Sequence, residues 1–278
     1  MRNRNIAPVV ILTLCISPQL AADAWHTDAV SGCMVHDDDP QTDTVISWSG
    51  TCDDDRYANG SGVLSWIVGG KLLGRYEGEM REGRANGIGV LYVIAENGDH
   101  HRLEGQFENN EINGSVEARS ANGERFEGVV RSADLRGEGV LEMPSGDRYT
   151  GEFLNGQMDG TGHLVLADGQ QYRGNFKADL LEGNGEWLGA NGDYYTGNFL
   201  GGEFSGVGRY EAIDMDVYEG EFLAGQPEGQ GKYTQASGRT IEGQFRGGSP
   251  EGRVKVTAED GSSWTEVWRD GQLQGSEK

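Results

Sequence analysis

The sequence predicts an all-β chain built from tandem 23-residue β-hairpins. Three observations lead there. A glycine recurs at a fixed interval, polar and apolar residues alternate with a period of two, and turn-forming dipeptides separate the alternating stretches. The recurring glycines are Gly105, Gly128, Gly151, Gly174, Gly197, Gly220 and Gly243, each 23 residues from the next. Gly78 precedes Gly105 by 27 residues, so the first unit carries a four-residue insertion. Glu266 stands one period after Gly243, in a degenerate last unit. A fixed period of this length marks a repeat array in which each unit packs on its neighbours.

One unit shows the local logic. Tyr149, Gly151 and Phe153 alternate with Thr150 and Glu152, and the chain continues through Asn155-Gly156, Asp159-Gly160-Thr161-Gly162, Leu164 and Asp168-Gly169 before Tyr172 opens the next unit. Alternate side chains of a strand share a face. Tyr149, Gly151 and Phe153 therefore lie together, and Thr150 and Glu152 point the other way. Asn-Gly and Asp-Gly are turn signals, because these residues tolerate positive φ. No stretch has the apolar spacing of a helix, and each of the 46 glycines would penalise one, by about 1 kcal/mol. Carried through the array, the pattern predicts an aromatic row of Tyr76, Phe126, Tyr149, Tyr172, Tyr195 and Tyr218. A parallel row holds Met80, Phe107, Phe153, Phe176, Phe199, Phe222, Phe245 and Trp268. Glycine beside each aromatic leaves room for the ring of a neighbouring repeat to lie over bare backbone.

These residues resemble the MORN repeat, whose motif is close to Tyr-x-Gly-x-Trp/Phe-x-x-Gly-x-x-x-Gly-x-Gly. Tyr149, Gly151, Phe153, Gly156, Gly160 and Gly162 match it position by position, as do Tyr218, Gly220, Phe222, Gly225, Gly229 and Gly231. The resemblance covers residues 76–278, about nine units. It implies an elongated, single-layer antiparallel sheet of successive hairpins that curves into a groove. Departures occur: Leu103 and Ile241 replace the first aromatic, Asn110, Ala133 and Asp179 the mid-motif glycine, and Val116 and Val254 the last glycine. Trp48-Ser49-Gly50 followed by Gly60-Ser61-Gly62 looks like an earlier, divergent half-repeat.

The N-terminal segment, 1–24, reads as a secretory signal: Arg2 and Arg4, an apolar run from Ile6 to Ile16, and a small-x-small site at Ala22-Asp23-Ala24. The run is shorter than the roughly 20 residues that span a bilayer. Cleavage before Trp25 removes Cys15 and leaves Cys33 and Cys52, which pair in an oxidising compartment, periplasmic or secreted, or remain as two free thiols. Residues 25–75 then form a disulfide-stapled cap over the first edge of the array. The net charge of −22 repels nucleic acid and anionic lipid, so neither nucleic acid nor direct membrane binding is expected.

No assembled active site, cofactor motif or metal motif is legible. His100-His101 fall in the four-residue insertion and read as an exposed loop, and His163 reads as a solvated outward residue. Asp37-Asp38-Asp39 and Asp53-Asp54-Asp55 are either solvated loops or a calcium site that orders the cap. The leading functional reading is an exported, non-enzymatic scaffold that binds another protein along its groove or at its ends. Alternatives are a module for cell-envelope polysaccharide, with aromatics as sugar platforms, and a carboxylate-dependent hydrolase. Trp264 and Trp268 share a face of the expected final strand, with no repeat beyond to cover them. They are a candidate interaction surface, either for an end-to-end homodimer or for the polar tail 272–278 folding back.

Overall fold

The computed structural model describes residues 24–38, 41–95, 97–131 and 136–277. All but Ala24 of the segment read as a signal, Asp39 of the first acidic run and Ala133 lie outside these. The described chain is all β, arranged in two compact units that divide between Gln157 and Met158. In each unit successive strands pair antiparallel with the strands before and after them, for example Arg148–Leu154 with Arg136–Glu142, and Tyr194–Leu200 with Leu180–Leu188 and Glu203–Glu211.

Register places the glycines opposite one another. In the second unit Gly162, Gly174, Gly185, Gly197, Gly208, Gly220, Gly231 and Gly243 form one row across the strands. In the first unit Gly62, Gly78, Gly89 and Gly105 do the same. A ring fills the space above the glycines. Tyr195 lies over Gly197 of its own strand and Gly208 of the next, and a Cβ built on Gly197 would sit 2.5 Å from its hydroxyl. That hydroxyl donates to the carbonyl of Asn198 at 2.9 Å. Tyr76, Tyr149 and Tyr218 make the same bond to the residue three positions on, at 3.1, 3.0 and 3.1 Å. Burial pushes the phenols of Tyr76, Tyr195 and Tyr218 up to about 12.

The room above the glycines is thus filled chiefly by a ring of the same strand, and not by the neighbouring repeat as the sequence suggested. The neighbour contributes the edge contact. Tyr195 meets Phe199 of its own strand and Phe222 of the next repeat edge-on, with centroids 5.2 and 5.1 Å apart. Tyr76 with Phe107 and Tyr218 with Phe245 repeat the contact at 5.1 and 5.0 Å. Such pairs are worth about 0.5–1.5 kcal/mol beyond their burial. Both rows are buried, apart from Tyr172 and Trp268, which are partly exposed.

Departures from the motif compensate one another. Where Leu103 replaces the ring, Val116 replaces the glycine facing Gly105. Where Ile241 replaces it, Val254 stands against Gly243. A smaller cover over a larger floor conserves volume, and all four residues are buried. Asn110 and Asp179 sit at φ of +72° and +69° in two-residue hairpin turns. Their side-chain oxygens accept the N–H of Ala85 and Met158 at 2.7 and 2.8 Å, a bond that glycine lacks. Asn155-Gly156 is such a turn, with both residues at positive φ, whereas Asp159-Gly160 lies inside the strand Gln157–Val165.

The first unit begins with a hairpin of Ala24–Thr27 and Met34–Asp37. Cys33 is bonded to Cys52, with Cα atoms 5.4 Å apart. Trp48 lies over Gly50 and Gly62, and its indole N–H donates to the carbonyl of Thr51 at 2.9 Å. The ring-over-glycine arrangement therefore begins in the divergent half-repeat. His100 and His101 do not form a loop. They open the strand His100–Glu108, and the extra residues lengthen the pairing with Arg84–Ile94. His101 is buried with its Nδ1 unpartnered. His163 is partly exposed against Gln171 at 3.2 Å. Asp53 caps its own turn, accepting from the N–H groups of Asp55 and Tyr57.

Gly174→Val is expected to destabilise the second unit by at least about 1–3 kcal/mol. The obstacle is backbone and not the rings expected from sequence: its Cβ would meet Asn184 O and Gly185 Cα, both at 2.7 Å. Val207→Ala, at a position 67% exposed, is expected to change stability by less than about 0.5 kcal/mol. Urea melts of the two variants check the pair, and equal midpoints would refute the assignment. Cys33→Ser is expected to cost about 3 kcal/mol, with the crosslink spanning 19 residues. Non-reducing peptide mapping checks the bridge itself.

Candidate functional site

The ring face of the second unit carries a groove of about 670 Å³. Trp187, Tyr210, Tyr218, Phe222, Tyr233, Phe245 and Trp268 line it, with Pro227 and Pro250 beside the hairpin turns and Gln235 and Arg239 on the opposite margin. Its size and apolar character suit a bound segment or small ligand. The sheet cannot cover both faces of its own rings, so Tyr210, Tyr233 and Trp268 keep part of their surface open. A smaller cavity of about 330 Å³ lies in the first unit among Leu64, Trp66, Tyr76, Leu91 and Phe107, with His36, Asp38 and Asn110 also lining it.

A second set of side chains fixes the groove wall. Two residues before the motif aromatic, on the same face, stand Gln170, Asp193, Asp216 and Arg239. Asp193 accepts from the Tyr210 hydroxyl and, at 2.9 Å, from the N–H of Ile213. Asp216 accepts from the Tyr233 hydroxyl and, at 2.9 Å, from the N–H of Ala236. Gln170 accepts from the Trp187 indole at 3.2 Å. Each acid therefore holds an aromatic of its next strand and ties its turn to the following one. The phenol bond is the chief cause that lowers both carboxyls below their ordinary range. Burial, then the bond to Asp216, pushes Tyr233 up to about 12, and the same causes raise Tyr210.

Of the predicted surface residues, Trp268 lines the groove and Trp264 does not. Their strand, Ser263–Arg269, is not the last. Gln272–Glu277 pairs onto it antiparallel, so the tail returns as the alternative sequence reading had it. Glu266 fills the glycine position as a buried carboxylate. Arg239 and the indole N–H groups of Trp264 and Trp268 donate to it at 3.0, 2.9 and 3.0 Å. The two indoles thus clamp an acid where the other repeats place a ring over glycine. Sequence reading missed Tyr210, Tyr233, Asp193 and Asp216. Their signal is an Asp paired with a Tyr 17 residues on, printed twice in the chain. Among the described residues no cluster of His, Cys, Asp or Glu has the geometry of a metal site.

A family model described as the MORN repeat matches residues 76–92, 149–171, 172–194, 195–214 and 218–238. No curated protein matches the chain. Among solved structures, the SAS-4 (dCPAP) TCP domain in complex with a proline-rich motif of Ana2 (dSTIL) of Drosophila melanogaster is similar to it at 12% identity and a TM-score of 0.36. The match covers 64% of this chain and 88% of that one.

Replacing Tyr210 and Tyr233 with Phe tests the groove wall. A carboxyl lowered in the folded state contributes stability above its ordinary range and loses it as pH falls through the lowered value. The wild type is therefore expected to exceed the double variant in urea midpoint at neutral pH, with the gap closing as pH falls below the ordinary carboxyl range. A gap independent of pH would show that these bonds do not hold the carboxylates.

Proposed function

We propose that this chain, which belongs to the MORN repeat family, is a non-catalytic scaffold that holds a partner polypeptide along the ring-lined groove of its second unit. The open aromatic groove of about 670 Å³ carries this reading. Exposed apolar surface bordered by polar groups is the common mark of a contact site, and a channel along successive strands suits an extended or helical segment. The carboxylates that hold Tyr210 and Tyr233 do not suit a general acid. A general acid needs a raised pKa, whereas Asp193 and Asp216 are lowered. The Cys33–Cys52 bridge favours an exported, oxidising setting, periplasmic or secreted.

Photocrosslinking tests the reading. A photoreactive residue at Gln235, on the groove margin, is expected to capture a defined polypeptide in the native cells. The same probe at Val207, exposed on the outer face, is expected to capture none. Equal capture at both positions would overturn the groove assignment. Retention on cell-wall material, with release by soluble sugar, would transfer the groove to the polysaccharide alternative.

A further inference from the structure

The turn Ala212–Asp216 lacks the glycine that most of its equivalents carry. Among the described residues, nine turns share one hydrogen-bond pattern. The first residue receives from the fourth and donates to the fifth, as in Gly192 to Gly189 and Gly189 to Asp193. In seven of them the fourth residue is a glycine with φ between +83° and +96°. In the other two it is Arg56, at φ +68°, and Met215, at φ +74°. A left-handed methionine is strained where glycine is not. Met215 is also 75% exposed and Ile213, two residues before it, is 67% exposed. Ile213 lies partly against Gly192 of the preceding turn, whereas Met215 combines strain with an open apolar side chain, and such combinations concentrate at functional positions.

The turn is well placed for contact. Asp193 binds its Ile213 N–H, and its own Asp216 binds the N–H of Ala236 in the following turn. That following turn supplies Gln235 and Arg239 to the groove. Ile213 and Met215 therefore stand in the turn next to the groove margin, interleaved with Asp214 and Asp216. We propose that this tip is a docking point for the partner held in the groove, and that the partner segment there is amphipathic and basic. Its apolar side chains meet Ile213 and Met215, and its Lys or Arg side chains meet Asp214. The chain's net charge of −22 attracts such a segment and disfavours an acidic one.

This inference rests on the groove being the binding surface, and its test is separable from that one. The double variant Ile213→Ser/Met215→Gly is compared with the wild type by fluorescence anisotropy, using a synthetic amphipathic leucine–lysine peptide as probe. The wild type is expected to bind it, and the variant to bind at least about tenfold more weakly, while its melting temperature does not fall because a strained residue has been replaced by glycine. A partner captured at Gln235 together with unchanged peptide affinity in the variant would overturn the tip and leave the groove standing. Equal binding of a leucine–glutamate peptide, no binding of the leucine–lysine peptide at about 100 μM, binding of phosphatidylcholine vesicles by the tip instead, or a melting temperature lowered by several degrees would each overturn the proposal.

Discussion

The close approach of a tyrosine ring to a pair of glycines organises the repeat. The ring of Tyr195 can lie flat only because Gly197 and Gly208 present bare backbone, and its hydroxyl reaches the Asn198 carbonyl only because the ring lies flat. The ring then offers its edges to Phe199 and Phe222, which sets the distance from one repeat to the next. Register follows as well. A slip of one residue would move every ring to the other face and set side chains where the glycines stand. The exceptions obey the same constraint: Trp48 performs it with an indole, Leu103 and Ile241 relax it beside valines, and Glu266 replaces it with an ionic clamp.

The period and the alternation made the strands, their faces and both aromatic rows legible in the sequence. The bridge between Cys33 and Cys52 was legible too, because the third cysteine, Cys15, falls in the segment that the sequence reads as a signal. What escaped was set by contacts between residues far from the motif. Asp193 and Tyr210 are 17 residues apart, and nothing in a period of 23 joins them until the strands are laid side by side. His100 and His101 looked like a loop because an insertion was assumed to bulge, and the strands instead absorbed it by growing longer. The glycine at 174 was correctly singled out for the wrong neighbour, since the backbone of the facing strand is nearer than any ring. The tail was ambiguous because polar residues such as Gln272–Glu277 suit an edge strand as well as a solvated end.

The groove follows from the same economy of layers. One sheet buries one side of its rings, and the remaining side is closed only where a second element crosses it. In the second unit Tyr210 and Tyr233, held by Asp193 and Asp216, stay partly open, and the proposed partner would meet a preformed surface. Preorganisation of this kind lowers the entropic cost of association. The carboxylates that provide it are already committed to phenols and backbone N–H groups, so the groove's specificity lies in shape and in the charges along its margin.

The two margins of the second unit are sewn by different threads. On one, the N–H groups of Gly202, Gly225 and Gly248 reach the carbonyls of Leu181, Phe204 and Pro227 in the preceding hairpin. On the other, Asp193 and Asp216 reach forward to Ile213 and Ala236. The hairpins that carry Asp193 and Asp216 thus present the same sockets to the one before and the same plugs to the one after. Genetic gain or loss of one whole repeat would leave all the remaining joints matched, whereas a change of any other length would leave plugs without sockets. Such a molecule can be lengthened or shortened in the course of descent without being redesigned, and its natural unit of variation is the single hairpin pair.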